Sequence, residues 1–218
     1  MTLSAPGVSA YVACFNNAAT LRQAVESLLA QTIRPAEVIV VDDGSTDGSA
    51  ETVRDLEVRV VAHSRNLGRG AARATAMAEA RQPLVLSCDA TIRLDPSFLE
   101  GALPWFQDCA VAAVFGAVGQ LPARTAVERW RARHLFKIDV RQDVRRRADL
   151  TTTGIVVRRE AVGAVGGFDA RLRHSEDGDL GRRLLAAGFD VIHDPRLSMV
   201  AIAGNTIMIT SSTRLIAT

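Results

Sequence analysis

The run Val38-Ile39-Val40-Val41 is wholly apolar and β-branched, and it stops dead at Asp42-Asp43-Gly44-Ser45. A strand with no polar alternation is covered on both faces, which requires a parallel sheet with helices on either side. The surrounding chain repeats that demand. Val8 to Phe15 is a short β-forming run that ends at Asn16-Asn17. Thr20 reads as the N-cap of a helix, with Gln23 as its capping-box partner and Leu21, Val25, Leu28 and Leu29 at helical spacing. Ser49 to Leu56 reads as a helix, Val58 to Ala62 as a strand, Gly70 to Ala80 as an alanine-rich helix, and Leu84 to Ser87 as a strand stopping at Cys88-Asp89. Strand and helix in alternation predict a mostly parallel α/β sheet flanked by helices. Ligands of such sheets bind beyond the carboxyl ends of the strands. The residues to question there are Asn16, Asp42, Asp43, His63, Arg65, Asn66 and Asp89.

The second half follows a different rhythm. Val111 to Val118 reads as a strand, and Val156-Val157 lie in an apolar stretch before a turn at Gly166-Gly167. A helix is expected from about Asp177 to Ala187, closed by Gly188, and then a last short strand at Val191-Ile192 before Pro195. No repeat or linker divides the chain. The expectation is a single domain, with a half to about residue 110 and another from about 111 to 200.

Composition removes several classes of function. A length of 218 residues suffices for a real core, and a net charge of +2 gives no reason to expect nucleic acid as a partner. Cys14, Cys88 and Cys109 are sparse and odd in number. They read as buried or half-buried free thiols, not as a disulfide framework or a zinc site. Met1 to Gly7 show neither a basic region nor an apolar core, and Leu197 to Ile209 is interrupted and shorter than the roughly 20 residues a membrane span needs. The expectation is a cytoplasmic protein. The arginine-rich stretch Arg124 to Arg147, with Trp130 and Phe136, reads first as a solvated helix face. Its sharper reading is a peripheral contact with anionic lipid at the inner face of the membrane.

Two adjacent carboxylates at a strand end repel each other, so structure alone does not favour Asp42-Asp43. Gly44, Ser45 and Asp47 are explained as a turn and a cap. A carboxylate in that place can accept a nucleobase N–H or a ribose hydroxyl. Gly68-Arg69-Gly70-Ala71-Ala72-Arg73 nearly spells a dinucleotide fingerprint, but it ends in arginine and follows the third strand. Phe15-Asn16-Asn17-Ala18-Ala19 lacks the glycine-rich basic loop that a nucleotidyltransferase would want. The scattered histidines read as surface or satisfied groups, with His174 singled out because it precedes Glu176-Asp177.

Taken in order, Val12-Ala13-Cys14-Phe15-Asn16-Asn17, Ser27-Leu28-Leu29-Ala30-Gln31-Thr32 and Val40 to Asp47 resemble the opening of family-2 glycosyltransferases of the GT-A fold. Asn66-Leu67-Gly68-Arg69-Gly70-Ala71-Ala72-Arg73 is similar to the next block. Thr153-Gly154, Gly166-Gly167-Phe168-Asp169 and Glu176-Asp177 through Leu184 are similar to the acceptor-side blocks. The resemblance implies inverting transfer of a sugar from a UDP- or GDP-sugar to a saccharide or lipid-linked acceptor. It implies that Ala13, Asn16, Asp42, Asp43, Arg73 and Asp89 line the nucleotide site, with Arg73 near the base or diphosphate. Asp177 would be the general base, with Glu176 beside it, and Gly154, Gly167, Phe168 and Arg183 would belong to the acceptor side. Asp89 would open an Asp-x-Asp motif for manganese or magnesium. Here that motif reads Asp89-Ala90-Thr91, and no histidine follows the last expected strand at Leu197 to Ile202. Thr91 offers only a neutral oxygen to a hard cation. A non-catalytic nucleotide-sugar binder on the same fold is the alternative.

Overall fold

The computed structural model describes residues 7–119 and 143–202. One mixed sheet carries eight strands: β1 (Val8–Cys14), β2 (Glu37–Asp42), β3 (Arg59–Ala62), β4 (Leu84–Asp89), β5 (Ile92–Leu94), β6 (Val111–Gly119), β7 (Gly154–Arg158) and β8 (Asp190–Ala201), in the order β3-β2-β1-β4-β7-β6-β8-β5. The expected parallel unit is its first half, because β3, β2, β1 and β4 all run the same way. Beyond β4 the sheet is mixed: β7 pairs antiparallel with both β4 and β6, and β8 is parallel to β6.

The double-sided burial predicted for β2 is present. Val38 and Val40 face one core with α1 (Leu21–Leu29) and α3 (Phe98–Ala102). Ile39 and Val41 face the other, with α2 (Arg69–Glu79), α4 (Arg159–Ala164) and α5 (Glu176–Ala186). Alternate residues of β2 thus enter opposite cores, so its first polar side chains stand at its ends. β1 and β4 bury Ser9, Tyr11 and Ser87 among their apolar residues.

Several local expectations are corrected. Thr20 makes no side-chain cap, and its hydroxyl is buried without a partner. The carbonyl of Asn17 accepts the N–H groups of both Thr20 and Leu21 instead, and Gln23 is exposed. Ser49 to Leu56 forms only a 3₁₀ turn at Ala50–Val53, because Val53 alone is buried there and one apolar anchor does not repay helix nucleation. The strand Ile92–Leu94 was not foreseen. The last strand is long, not short. Its register with β6 jumps from Phe115–His193 to Ala117–Ser198. Asp194 accounts for the jump: its carboxylate accepts from the Trp105 indole and from the Arg196 guanidinium and backbone. Residues 194–197 bulge out around Pro195, and pairing then resumes.

Cys14 and Cys88 are buried, but Cys109 is exposed, in a turn where the Asp108 carboxylate accepts the Ala110 N–H. Burial, reinforced by Asp42, Asp47 and Asp43, pushes the Cys14 thiol up to about 12, and burial likewise holds Cys88 well above its ordinary value. Both are thus poor nucleophiles as well as inaccessible, whereas Cys109 is open to reagent. Alkylation of the native protein at about pH 8 is therefore expected to modify Cys109 alone, and all 3 cysteines only after unfolding, as read by intact mass.

Candidate active site

The ends of β1, β2 and β4 come level in the sheet, where Cys14 pairs with Asp42 and Ala13 with Asp89. The loops that follow β1 and β2 are joined side chain to backbone. Asn16 N–H donates to Ser45 Oγ at 2.9 Å, and Thr46 N–H returns to Asn16 Oδ1 at 2.9 Å. Asn17 and Ala18 N–H donate to Ser49 Oγ and Asp47 Oδ2. Asn16 reaches this arrangement with a left-handed φ of 53°. Ser45 and Asp47, expected to cap the next helix, instead bind the neighbouring loop.

Asp42 and Asp43 part company. Asp42 Oδ1 accepts the Ser45 N–H at 2.9 Å, and its Oδ2 takes no hydrogen bond from a described residue. Asp43 is almost wholly occupied by the protein. Oδ1 meets His63 Nδ1 at 2.7 Å and the Leu67 N–H at 2.9 Å, while Oδ2 accepts from Asn66 Nδ2 at 2.9 Å and the Gly68 N–H at 2.8 Å. His63 is a satisfied histidine, because its Nε2 reaches Thr75 Oγ1 at 3.0 Å. The loop after β3 also crosses directly over Gly44. A Cβ there would stand 2.4 Å from the Arg65 carbonyl carbon, and its φ of +76° disfavours any side chain. Asp43 therefore holds the loop after β3 at the end of β2, whereas Asp42 keeps one oxygen without a described partner.

Arg73, expected near the base or diphosphate, is held by four protein side chains. It is 4% exposed. Nε donates to Glu176 Oε1 at 3.0 Å, Nη1 to Ser87 Oγ at 2.9 Å and to the Tyr11 hydroxyl at 3.4 Å, and Nη2 to Asp89 Oδ1 at 2.9 Å. Burial alone would lower its pKa. The oxygens of Tyr11, Asp89 and Glu176 outweigh that and hold it above the ordinary arginine value. Glu176 is held with it: the carboxylate is buried against Arg73 and cannot face an acceptor. Asp177 remains. Ser175, at a left-handed φ of 61°, turns the chain into α5, whose first turn holds Glu176, Asp177 and Asp179. Asp179 pairs with Arg182 and Arg183. Asp177 is half-buried, accepts only the N–H of Gly178, and has no cationic partner among the described residues.

The acceptor-side residues are largely structural. Arg183 ties α5 to the Gly166-Gly167 turn through the carbonyls of Val165 and Gly167. Gly167, Phe168, Asp169, Arg171, Asp179 and Arg183 line a hollow of about 440 Å³. Phe168 itself is buried in the core, so it backs this hollow more than it faces it. Gly154 is buried at the start of β7, where a Cβ would strike the Met199 side chain, so its role is packing. His174 is exposed. Sequence reasoning missed Phe15, which it absorbed into the first strand. The ring lies just past β1 and is 44% exposed. An aromatic directly after a buried strand was the available signal.

The residues fit a divalent ion only in part. Among the described residues no group of three His, Cys, Asp or Glu side chains could hold one. Asp89 has a free Oδ2, Arg73 takes its Oδ1, and Thr91 adds a hydroxyl. That is short of the six oxygens a hard cation takes, so an ion fits only together with ligand oxygens. His193 cannot help. It is buried against Phe115 on β8, with β7 and β6 between it and β4, and burial together with Arg145 lowers its pKa. The basic stretch lies mostly outside the described residues. Of its described end, Arg146 pairs with Asp108 and Asp190, and Arg147 donates to the Leu185 carbonyl from a bend in which its own φ is 57°. No described helix is long and apolar enough to cross a membrane.

The two aspartates should separate experimentally. Asp43→Ala leaves a set of buried donors without an acceptor and should cost about 3 kcal/mol or more in urea unfolding. Asp42→Asn should change stability by less than about 1 kcal/mol yet weaken nucleotide binding in calorimetry.

Comparison with known proteins bears on the fold and the family. A pre-mycofactocin glycosyltransferase of Mycobacterium tuberculosis is 32% identical over 199 residues, covering 85% of this chain and 40% of that protein. The succinoglycan biosynthesis protein ExoO of Rhizobium meliloti is 42% identical over 95 residues, covering 41% of this chain and 27% of that protein. The chain thus spans less than half the length of these curated relatives. The S. aureus TarS 1-349 structure in complex with UDP-GlcNAc superposes with a TM-score of 0.73 at 19% identity, covering 95% of this chain and 62% of that one. The mannosyltransferase PcManGT from Pyrobaculum calidifontis, in complex with GDP-Man and Mn2+, superposes with a TM-score of 0.70 at 22% identity, covering 92% and 58%. These structures share the GT-A fold of this chain. The model of glycosyl transferase family 2 matches residues 9–166, and the chain belongs to that family.

Proposed function

We propose that the chain transfers a sugar from a UDP- or GDP-sugar to an acceptor hydroxyl, with inversion, and that Asp177 is the base. The observation that carries this reading is the division of labour around Arg73. One buried guanidinium holds Glu176 and Asp89 in place and leaves Asp177 as the acid of that turn without a cation.

The steps follow from the residues. The loops joined through Asn16 and Ser45 form the nucleotide pocket. Phe15 offers a stacking face, Asp42 Oδ2 an acceptor for a base N–H, and Ala13 backbone beside it. Asp177 accepts the proton of the acceptor hydroxyl as that oxygen attacks the anomeric carbon. The bond to the nucleoside diphosphate breaks in the same displacement, and one displacement inverts the centre. Asp177 sits in the first turn of α5, half-buried and without a cationic partner among the described residues, which leaves its carboxylate available to an acceptor hydroxyl. Asp89 and Thr91 would hold a divalent ion arriving with the donor, manganese or magnesium, which would offset the charge of the leaving diphosphate. The hollow at Gly167 and Arg171 suits a saccharide or lipid-linked acceptor. The succinoglycan biosynthesis protein among the relatives supports a role in polysaccharide assembly. The incomplete metal motif favours a second reading, a binder of nucleotide sugars that does not turn over.

Asp177→Asn separates the two. Release of nucleoside diphosphate from a UDP- or GDP-sugar should fall by about 10²-fold or more, while calorimetric affinity for the nucleotide stays within about twofold. An Asp177→Asn protein as active as the parent contradicts the assignment of the base, and a parent that binds nucleotide without any release supports the second reading.

A further inference from the structure

The glycines of Gly68-Arg69-Gly70, which fail as a dinucleotide fingerprint, have another use in this fold. A Cβ on Gly70 would stand 2.3 Å from the Asp169 carbonyl oxygen and 2.4 Å from that of Leu172, and the Gly70 N–H donates to Leu172 at 3.0 Å. Arg173 then passes over Gly68, its Cα 3.2 Å from where a Cβ would lie. The segment from Asp169 to Arg173 is therefore laid backbone to backbone on the entry of α2. It leads two residues later into the left-handed Ser175 and the Glu176-Asp177 pair.

Side chains extend the same connection to Asp43. The exposed Arg173 donates through Nη2 to Asn66 Oδ1, and Asn66 Nδ2 donates to Asp43 Oδ2 at 2.9 Å. The turn that carries Asp177 is thus fixed on one side by Arg173 to Asn66 and on the other by Glu176 to Arg73. Loss of the first tie leaves the buried second tie in place, so the fold and Asp89 are kept while the approach to Ser175 is loosened.

We propose that Arg173 is a positioning residue that couples the nucleotide pocket to the base: through Asn66 it links Asp43 to the turn that presents Asp177. The inference rests on the reading of Asp177 as base and of the β1 and β2 loops as the nucleotide site. A small displacement of a base costs rate without costing ground-state binding, which distinguishes this role from a structural one.

The test uses the full chain, UDP and GDP as probes, and UDP-GlcNAc and GDP-mannose as donors, with Arg173→Ala, Arg173→Lys, Asn66→Ala and the Asn66→Ala/Arg173→Ala double variant. Arg173→Ala is expected to keep nucleotide affinity within about threefold and to lower kcat for nucleoside diphosphate release by about tenfold, with Arg173→Lys recovering part of the loss. Nucleotide should slow hydrogen exchange in peptides covering Arg173 to Asp177 of the parent, and not in those of Arg173→Ala. The double variant should be no slower than the worse single one. Parental kcat and parental exchange in Arg173→Ala, or costs that simply add in the double variant, overturn the coupling while leaving the proposed function standing. A parent that binds neither UDP nor GDP overturns both together.

Discussion

The site depends on one buried cation. Arg73 projects from the buried face of α2, with its charge met by Glu176 and Asp89 and its Nη1 group by Ser87 and Tyr11. Removing one partner of such a cluster costs about 3–5 kcal/mol, because an unpaired charge is left in a low dielectric. An apolar core would serve stability as well. What the ion cluster adds is geometry. Through Arg73 and Glu176, which are 103 residues apart, it joins β4, which carries Asp89, to α5, which carries Asp177. The parallel half and the mixed half of the sheet meet at β4 and β7, and this guanidinium fixes how their polar ends face each other.

The nucleotide side shows the same logic with an anion in place of the cation. Asp43 gathers the loop after β3 by four contacts, to His63, Asn66, Leu67 and Gly68. Its neighbour Asp42 stays available. The repulsion that made the pair look costly in sequence is relieved by opposite fates: one carboxylate is saturated by protein donors and the other opens toward the pocket. Each half of the proposed site thus uses one buried ionic group as scaffold and leaves another carboxylate, Asp42 or Asp177, with few protein partners.

Much of this was legible in the sequence. The apolar run at Val38 to Val41 determined the sheet, and the polar residues at the strand ends determined where a ligand could lie. The helix at Glu176 could be read from its periodicity and from Gly188. What was not legible is partnership at long range. Nothing local in Arg73 says that it will be buried against Glu176, so motif position placed it with the ligand. Nothing in Gly68 and Gly70 says that a segment a hundred residues on will lie across them. The capping reading of Thr20 failed because its hydroxyl is turned into the interior, where it is buried without a partner, while the Asn17 carbonyl holds the Thr20 and Leu21 N–H groups. The last strand was cut short at Pro195 because a proline normally ends pairing, whereas Asp194 lets the chain bulge and resume.

A crystal structure of the chain with UDP or GDP and manganese tests the central claim most directly. The account predicts that the base lies against Phe15 and Asp42, that the diphosphate approaches Asp89, and that Arg73 keeps its bonds to both Glu176 and Asp89 while Asp177 faces the open end of the cleft. An Arg73 guanidinium that leaves Glu176 to bind the base or the phosphates would contradict it, and would return Glu176 to the reacting groups.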